Sequence, residues 1–261
     1  MNKVIVSRIK RCIKLGLDEK AYSILRENAT YLSMRDLSVI TRYMIGRMIY
    51  AAKVVQYIYY ESRYGSKFKN RALTEKETIF SYACQTAQTD VIRILLRDER
   101  AEYIVKSYGI LERAASDGRI EIVSMLLKTG VFWPDRLGFS MIGASANGHL
   151  DVVRLLYDER IEKRHIDDSM SYACSRSYVD IVKYIMYETS HRPNNMDIFY
   201  HIRDAIVFNK IDVIKLLLED ERTDAIIKSA VVVARSNRLI EILKLFEGRV
   251  WDGTADVVMI C

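Results

Sequence analysis

The stretch GHLDVVRLLYDER, from Gly148 to Arg160, is the clearest copy of a segment that recurs six times along this chain. Each copy has an acidic residue just ahead of an apolar run, and we use this residue as the anchor of the copy. The anchors are Asp90, Glu121, Asp151, Asp180, Asp212 and Glu241, at spacings of 31, 30, 29, 32 and 29 residues. A period of about 30 residues indicates an array of repeated structural units.

The residues before each anchor predict a first helix. Every copy has alanine seven residues before the anchor and a large apolar residue ten residues before it; Ala144 and Met141 hold these positions in the third copy. Positions three residues apart lie on one face of a helix. We therefore expect the large side chain to fill the core and the alanine to let a neighbouring backbone approach closely.

The residues after each anchor predict a second helix. Apolar residues stand one, two and five positions beyond the anchor, and Arg or Lys stands at position three in five of the six copies. This spacing gives one apolar stripe and one solvated side. A polar break separates the two helices, and Gly118 and Gly148 in it suit a backbone conformation that a Cβ would hinder. We expect His149, which follows Gly148, to bridge neighbouring connectors.

Two copies resemble the ankyrin repeat closely: MIGASANGHLDVVRLL (Met141 to Leu156) and LERAASDGRIEIVSMLL (Leu111 to Leu127). The resemblance implies an all-α solenoid of stacked helix-turn-helix units with short finger connectors. The family's TPLH tetrapeptide is absent, and the period is shorter than the family's roughly 33 residues. The recurring ending LLxDxR resembles ankyrin arrays encoded by large DNA viruses of amoebae, which suggests a viral protein.

The repeats divide the chain into three predicted parts. Residues 1–79 form a divergent basic cap with early repeats, residues 80–250 hold the six ankyrin-like repeats, and residues 251–261 form a partial repeat or cap. In the first part, KAYSIL (Lys20 to Leu25) and KVVQYIYY (Lys53 to Tyr60) fit second helices. This part carries 16 Lys and Arg against 7 Asp and Glu, whereas the rest of the chain is slightly acidic.

Composition narrows the function classes. Half of the residues are hydrophobic and 28% are charged, which is typical of a soluble globular chain. The apolar stretch Met44 to Tyr60 is interrupted by Arg47 and Lys53, so we expect no membrane span and an intracellular, cytoplasmic location. The four cysteines lie far apart and suggest neither a disulfide framework nor a zinc site. The four histidines fall in different repeats or connectors, and no nucleotide-binding motif occurs.

The predicted function is therefore non-catalytic protein–protein interaction, with no enzyme activity, cofactor, metal or small-molecule substrate. The ankyrin resemblance implies a partner protein held in the concave surface by finger tips and first-helix ends. Phe208 is interpreted either as a partner anchor or as a side chain that covers a locally irregular core, and Trp133 either as a partner contact or as an aromatic side chain packed inside its hairpin. The candidate partner-binding residues are Val207, Phe208, Trp133, Asn147, Arg176, Arg136, Arg164 and Phe199.

The alternative prediction is nucleic-acid binding through the basic N-terminal region. The segment YYESRYGSKFKNR (Tyr59 to Arg71) mixes aromatic residues with Arg63, Lys67, Lys69 and Arg71, which is typical of nucleic-acid surfaces. The same composition also suits a solvated loop with tyrosines packed onto the cap.

Overall fold

The computed structural model describes residues 2–45, 51–56, 79–97, 105, 109–191 and 193–246. The protein is all-helical in these ranges, with no strand among them, and 76% of the structure is helix. This confirms the predicted all-α class. The predicted loop from Tyr59 to Arg71 lies outside the described residues, as does the segment 251–261.

Eight helices of the described ranges precede residue 128. Helix α2 contains the predicted KAYSIL helix, and α4 contains the start of the predicted KVVQYIYY helix. A short 3₁₀ turn, Ala29–Tyr31, follows α2. The bounds are α1 Asn2–Lys14, α2 Asp18–Asn28, α3 Met34–Met44, α4 Ala51–Gln56, α5 Ile79–Gln85, α6 Thr89–Leu95, α7 Ile110–Ser116 and α8 Ile120–Leu127.

The remaining helices alternate between long first helices and short second helices. Helix α12 continues into a π-helical turn, Tyr184–Glu188. The bounds are α9 Pro134–Ala146, α10 Leu150–Leu156, α11 Lys163–Arg176, α12 Val179–Lys183, α13 Asn195–Val207, α14 Ile211–Leu218, α15 Ile227–Ser236 and α16 Ile240–Leu245.

Internal contacts divide the chain into two compact units. The N-terminal unit lies within residues 1–114 and 119–132, and the C-terminal unit within residues 115–118 and 133–261. The sequence predicts one elongated domain because no linker-like composition separates these parts. The boundaries predicted at residues 79 and 250 stay predictions.

Repeat positions that the sequence assigns to the core are buried. All six alanines seven residues before the anchors are at most 1% exposed, and the six large residues three positions earlier are at most 8% exposed. The residues one position after the anchors are buried as well, from Val91 to Ile242. Burial of apolar surface that neither helix could cover alone stabilises each helix pair.

Every repeat ends its first helix with the same turn. The residue three positions before the anchor, here called the turn residue, has a positive φ between 54° and 80° in all six copies. The next residue donates its backbone N–H to the carbonyl of the alanine that stands seven residues before the anchor, as His149 does to Ala144 at 3.0 Å. This pattern is a Schellman motif, which satisfies carbonyls at the helix end. The turn residues are Ala87, Gly118, Gly148, Ser177, Asn209 and Arg238.

Side chains also link successive turns. Nε2 of His149 lies 3.0 Å from the carbonyl oxygen of Ser116 in the preceding repeat. In the N-terminal unit, Nη1 of Arg119 donates to the carbonyl oxygen of Cys84 at 2.9 Å. Both side chains follow a turn residue and reach back by one repeat, so each links its own turn to the preceding first helix.

The LLxDxR ending forms a small local structure. The carboxylate of Asp158 accepts bonds from both the backbone N–H and the guanidinium of Arg160, and Asp220 accepts the same set from Arg222. These hydrogen bonds from Arg160 lower the pKa of Asp158 to about 2. The motif therefore holds the chain in a fixed bend after the second helix.

Candidate partner-binding face

The first helices of the C-terminal unit lie side by side. Helix α11 packs between α9 and α13, and α13 packs against α15. Each of these four helices also contacts the short second helix of its own repeat. Helices α11 and α13 are thus covered on three sides, and their remaining side faces solvent.

This solvent-facing side carries large apolar residues. Met196, Tyr200 and Val207 lie four and seven residues apart on α13, which aligns them on one side of that helix. Phe139 on α9 occupies the same repeat position as Tyr200, twelve residues before the anchor. The six exposed residues, here called the apolar face, are Phe139, Tyr172, Met196, Tyr200, Val207 and Val232.

Neighbouring groups fix the aromatic rings of the apolar face. The guanidinium carbon of Arg203 lies 5.0 Å from the centroid of the Tyr200 ring, and Arg203 is itself paired with Asp204 at 3.0 Å. The Phe139 ring meets the buried His165 ring edge-on at 4.7 Å between centroids. Rings that are already positioned lose little conformational entropy on binding, which favours recognition.

The predicted helix-end residues fall into two groups. Val207, a member of the apolar face, ends α13, and Phe208 follows it; both side chains are exposed. Asn147 and Arg176 are exposed too but are engaged in the turns: Asn147 donates to the carbonyl of Gly143, and Arg176 donates to the carbonyl of Ala146. Their contacts indicate a structural role at the ends of α9 and α11.

The predicted connector residues differ from one another in exposure and in contacts. Trp133 precedes α9 and is 72% exposed, so it is not packed inside a hairpin. Arg164 is exposed and pairs with Glu162 at 2.9 Å and with Asp135 at 3.6 Å. Arg136 and Phe199 are half-buried, and the ring centroid of Phe199 lies 5.8 Å from that of Tyr200.

Two histidines from different sequence regions, His191 and His201, lie near Asp167 in the C-terminal unit, although the sequence places the four histidines in different repeats or connectors. His165, His191 and His201 are all buried. Nε2 of His191 lies 3.1 Å from the carboxylate of Asp167, and Nδ1 of His201 lies 3.2 Å from the hydroxyl of Ser171. No cluster of three potential metal ligands occurs in the described ranges.

Burial shifts the pKa values of one histidine and two cysteines. Desolvation lowers the pKa of His201, against the opposing effect of Asp167, Asp204 and Asp197. Burial likewise raises the pKa of the Cys84 thiol to about 12, and it raises the pKa of Cys174 further. Both thiols therefore stay protonated near neutral pH and act as small buried apolar side chains, as their shared repeat position predicts.

The alternative nucleic-acid residues Arg63, Lys67, Lys69 and Arg71 lie outside the described residues. No helix among the residues described has the length and apolar character needed to cross a membrane. No protein-family model, curated protein or solved structure matches the chain.

Five members of the apolar face are absent from the sequence-based candidates: Phe139, Tyr172, Met196, Tyr200 and Val232. Their common signal is an apolar residue on the outer side of a first helix, five to sixteen residues before an anchor. That signal is visible only after the buried side of each helix has been assigned.

Proposed function

We propose that this chain is an array of ankyrin-like helix pairs that binds a partner protein through the apolar face, without catalysing a reaction. The observation that carries the proposal is the set of six exposed apolar side chains on four adjacent helices. Singly exposed apolar residues are common, whereas a continuous group of them is typical of interaction sites.

The arrangement also suits the energetics of protein recognition. Aromatic anchors contribute most of the binding energy in typical interfaces, and Phe139, Tyr172 and Tyr200 supply such anchors. The paired charges of Arg203 with Asp204 and Arg164 with Asp135 add a polar rim. We therefore expect affinity that depends weakly on salt, because apolar burial is not screened by ions.

Site-specific photo-crosslinking tests this proposal. A photoreactive phenylalanine analogue replaces Tyr172 or Tyr200 in the full chain, and matched variants carry it at Lys183 or Lys215 on the solvated side of α12 and α14. We expect one protein adduct of the same mass at both face positions, resistant to nuclease and high salt. Equal adducts at the lysine positions, or loss with nuclease, would disprove the proposed face.

Alanine substitution then measures the anchors against the purified crosslinked partner. We expect Tyr200→Ala and Phe208→Ala each to weaken binding by more than about fivefold, because truncating an aromatic anchor costs more than about 1 kcal/mol. Leu155→Ala is the matched control, since Leu155 is an exposed apolar residue on α10 outside the face. Unchanged affinity in both aromatic variants would place the interface elsewhere.

A further inference from the structure

The N-terminal unit contains a groove of about 640 Å³ between α1 and α3. Four cations line it from α1: Lys3, Lys10, Arg11 and Lys14. Helix α3 contributes Tyr43 and the carboxylate of Asp36. We call this feature the basic groove. It is charged and concave, whereas the apolar face consists of exposed apolar side chains.

The sequence of α1 places these cations together. Ile5, Ile9 and Ile13 are buried at spacings of four residues, which fixes the inner side of the helix. Lys3, Lys10 and Lys14 are seven and four residues apart and therefore share another side. Eleven residues at 1.5 Å each separate Lys3 from Lys14, so the row of charges is about 16 Å long.

Cations outnumber carboxylates by four to one among the described residues that line the groove. None of the four cations forms an ion pair with another described residue. Asp36, the one carboxylate among the described lining residues, caps α3: it accepts hydrogen bonds from the backbone N–H and the hydroxyl of Ser33, at 3.1 and 2.5 Å. Clustered like charges in a concave surface concentrate anions from solution.

An aromatic ring stands beside this row of charges. Nζ of Lys10 lies 5.4 Å from the centroid of the Tyr43 ring, and the ring is half-buried within the groove. A cationic groove that follows a backbone, combined with an aromatic platform for a base, is the composition by which proteins hold single-stranded nucleic acid. An acidic peptide would use the charges and leave the ring unused, and a flat bilayer could not enter a groove.

We propose that the basic groove binds single-stranded nucleic acid, with phosphates on Lys3, Lys10, Arg11 and Lys14 and one base against Tyr43. This site is separate from the apolar face and does not depend on the residues between Tyr59 and Arg71. Recognition is independent of base sequence, because stacking and phosphate contacts carry no base code.

The test measures binding of a labelled oligothymidylate of about 12 nucleotides to the full chain by fluorescence anisotropy. Four phosphate contacts on a single strand predict a slope of about −2.8 for log affinity against log salt, or roughly a 50-fold loss between 50 and 200 mM. Lys10→Gln with Lys14→Gln should reduce the slope to about −1.4. Tyr43→Leu should weaken binding by roughly fivefold or more at an unchanged slope.

The control pair is Arg8→Gln with Lys20→Gln, which removes two exposed cations of α1 and α2 outside the groove. We expect the control to keep the parental slope, with circular dichroism matched across all variants. Absence of oligonucleotide binding, or an equal change of slope in the control pair, would overturn the proposal. So would binding of polyglutamate or phosphatidylserine vesicles in place of the oligonucleotide. The lysine variants decide the outcome alone if Tyr43→Leu fails to fold.

Discussion

The imidazole ring of His149 lies against the α-carbon of Gly118, the turn residue one repeat earlier. A Cβ added at Gly118 would come within 2.5 Å of Nδ1 of His149. Tyr178 covers Gly148 in the same way in the next repeat, where a Cβ would meet the ring at 2.6 Å. Two independent constraints therefore select glycine at these turns: a positive φ and the ring of the following repeat.

Gly118→Ala should be more destabilising than a substitution that meets only the first constraint. Gly130 has a similar φ of +68° but nothing within 4 Å of its Cβ position. We expect Gly130→Ala to lower the free energy of unfolding by about 1 kcal/mol and Gly118→Ala by about 2–4 kcal/mol, because overpacking adds to backbone strain. Urea denaturation measures both values.

A second variant separates strain from steric conflict at Gly118. His149→Ala removes the ring, so the double variant Gly118→Ala with His149→Ala should be more stable than the sum of the single effects indicates. Strict additivity would show that the ring moves aside without cost and that only φ matters.

Three of the four turn residues that are not glycine predict stabilising substitutions. Ala87, Ser177 and Arg238 hold positive φ values of 55°, 68° and 56° with a Cβ present. Replacing each with glycine relieves left-handed strain, which outweighs the added freedom of the unfolded chain. We expect each variant to raise the melting temperature by about 1–4 °C.

The matched control for Ser177→Gly is Ser175→Gly, two residues earlier within α11. A glycine inside a helix costs about 1 kcal/mol, so this control should melt at a lower temperature. Stabilisation by both substitutions, or by neither, would contradict the assignment of strain to the turn residue.

The alanines that recur seven residues before each anchor predict a close helix contact that a longer side chain would disrupt. Ala144 is 0% exposed on α9, whose neighbour α11 packs along it. Ala144→Leu should cost about 1–3 kcal/mol through overpacking. Ala146→Leu, at the half-exposed end of the same helix, should remain within about 0.5 kcal/mol of the parent by the same unfolding assay. Similar losses for both variants would argue against specific packing at Ala144.

The two DxR motifs that lie within the described residues, Asp158 to Arg160 and Asp220 to Arg222, predict unequal effects from the same substitution. Arg222 is part-buried and also donates from Nη1 to the carbonyl of Pro193 at 2.8 Å, so it joins two connectors. Arg160 is exposed and bonds only within its own motif among the contacts described. We expect Arg222→Gln to cost about 1–2 kcal/mol and Arg160→Gln to leave the melting temperature close to that of the parent.

The buried half of this fold could be predicted from the sequence because every repeat must fill the same volume. Ala144 and Val152 are constrained by neighbours on all sides, so their residue types recur and reveal the period. The strained turns at Ser177 and Arg238 could not be predicted, since the surrounding hydrogen bonds impose a positive φ that local propensity opposes.

Fewer residues of the candidate site could be predicted from the sequence, because packing restricts only buried positions. Tyr200 and Phe139 face solvent, where packing does not restrict the residue type and no recurrence marks them. The meeting of His191 with Asp167 depends on the path of the connector after the π-helical turn, which is tertiary information. Phe208 was predicted because it breaks a pattern of small and polar helix-end residues.

The burial of His201 predicts that the C-terminal unit loses stability in mild acid. Burial lowers the pKa of His201 below its ordinary value of 6.5, although Asp167, Asp204 and Asp197 oppose this effect and His191 reinforces it. The unfolded chain therefore binds a proton at His201 at a higher pH than the folded chain does. The contribution of neutral His201 to the free energy of unfolding is therefore fully present above pH 6.5 and declines as the pH falls below that value.

Comparison with His201→Gln separates the effect of His201 protonation on stability from the effects of all other titrating groups. The variant retains a polar side chain and cannot titrate, so its free energy of unfolding should fall less than that of the parent between about pH 7.5 and 5.5. Urea denaturation at several pH values measures the difference between the two proteins. A difference that stays constant over this range would mean that His201 takes up its proton equally in the folded and unfolded chains, contrary to its burial.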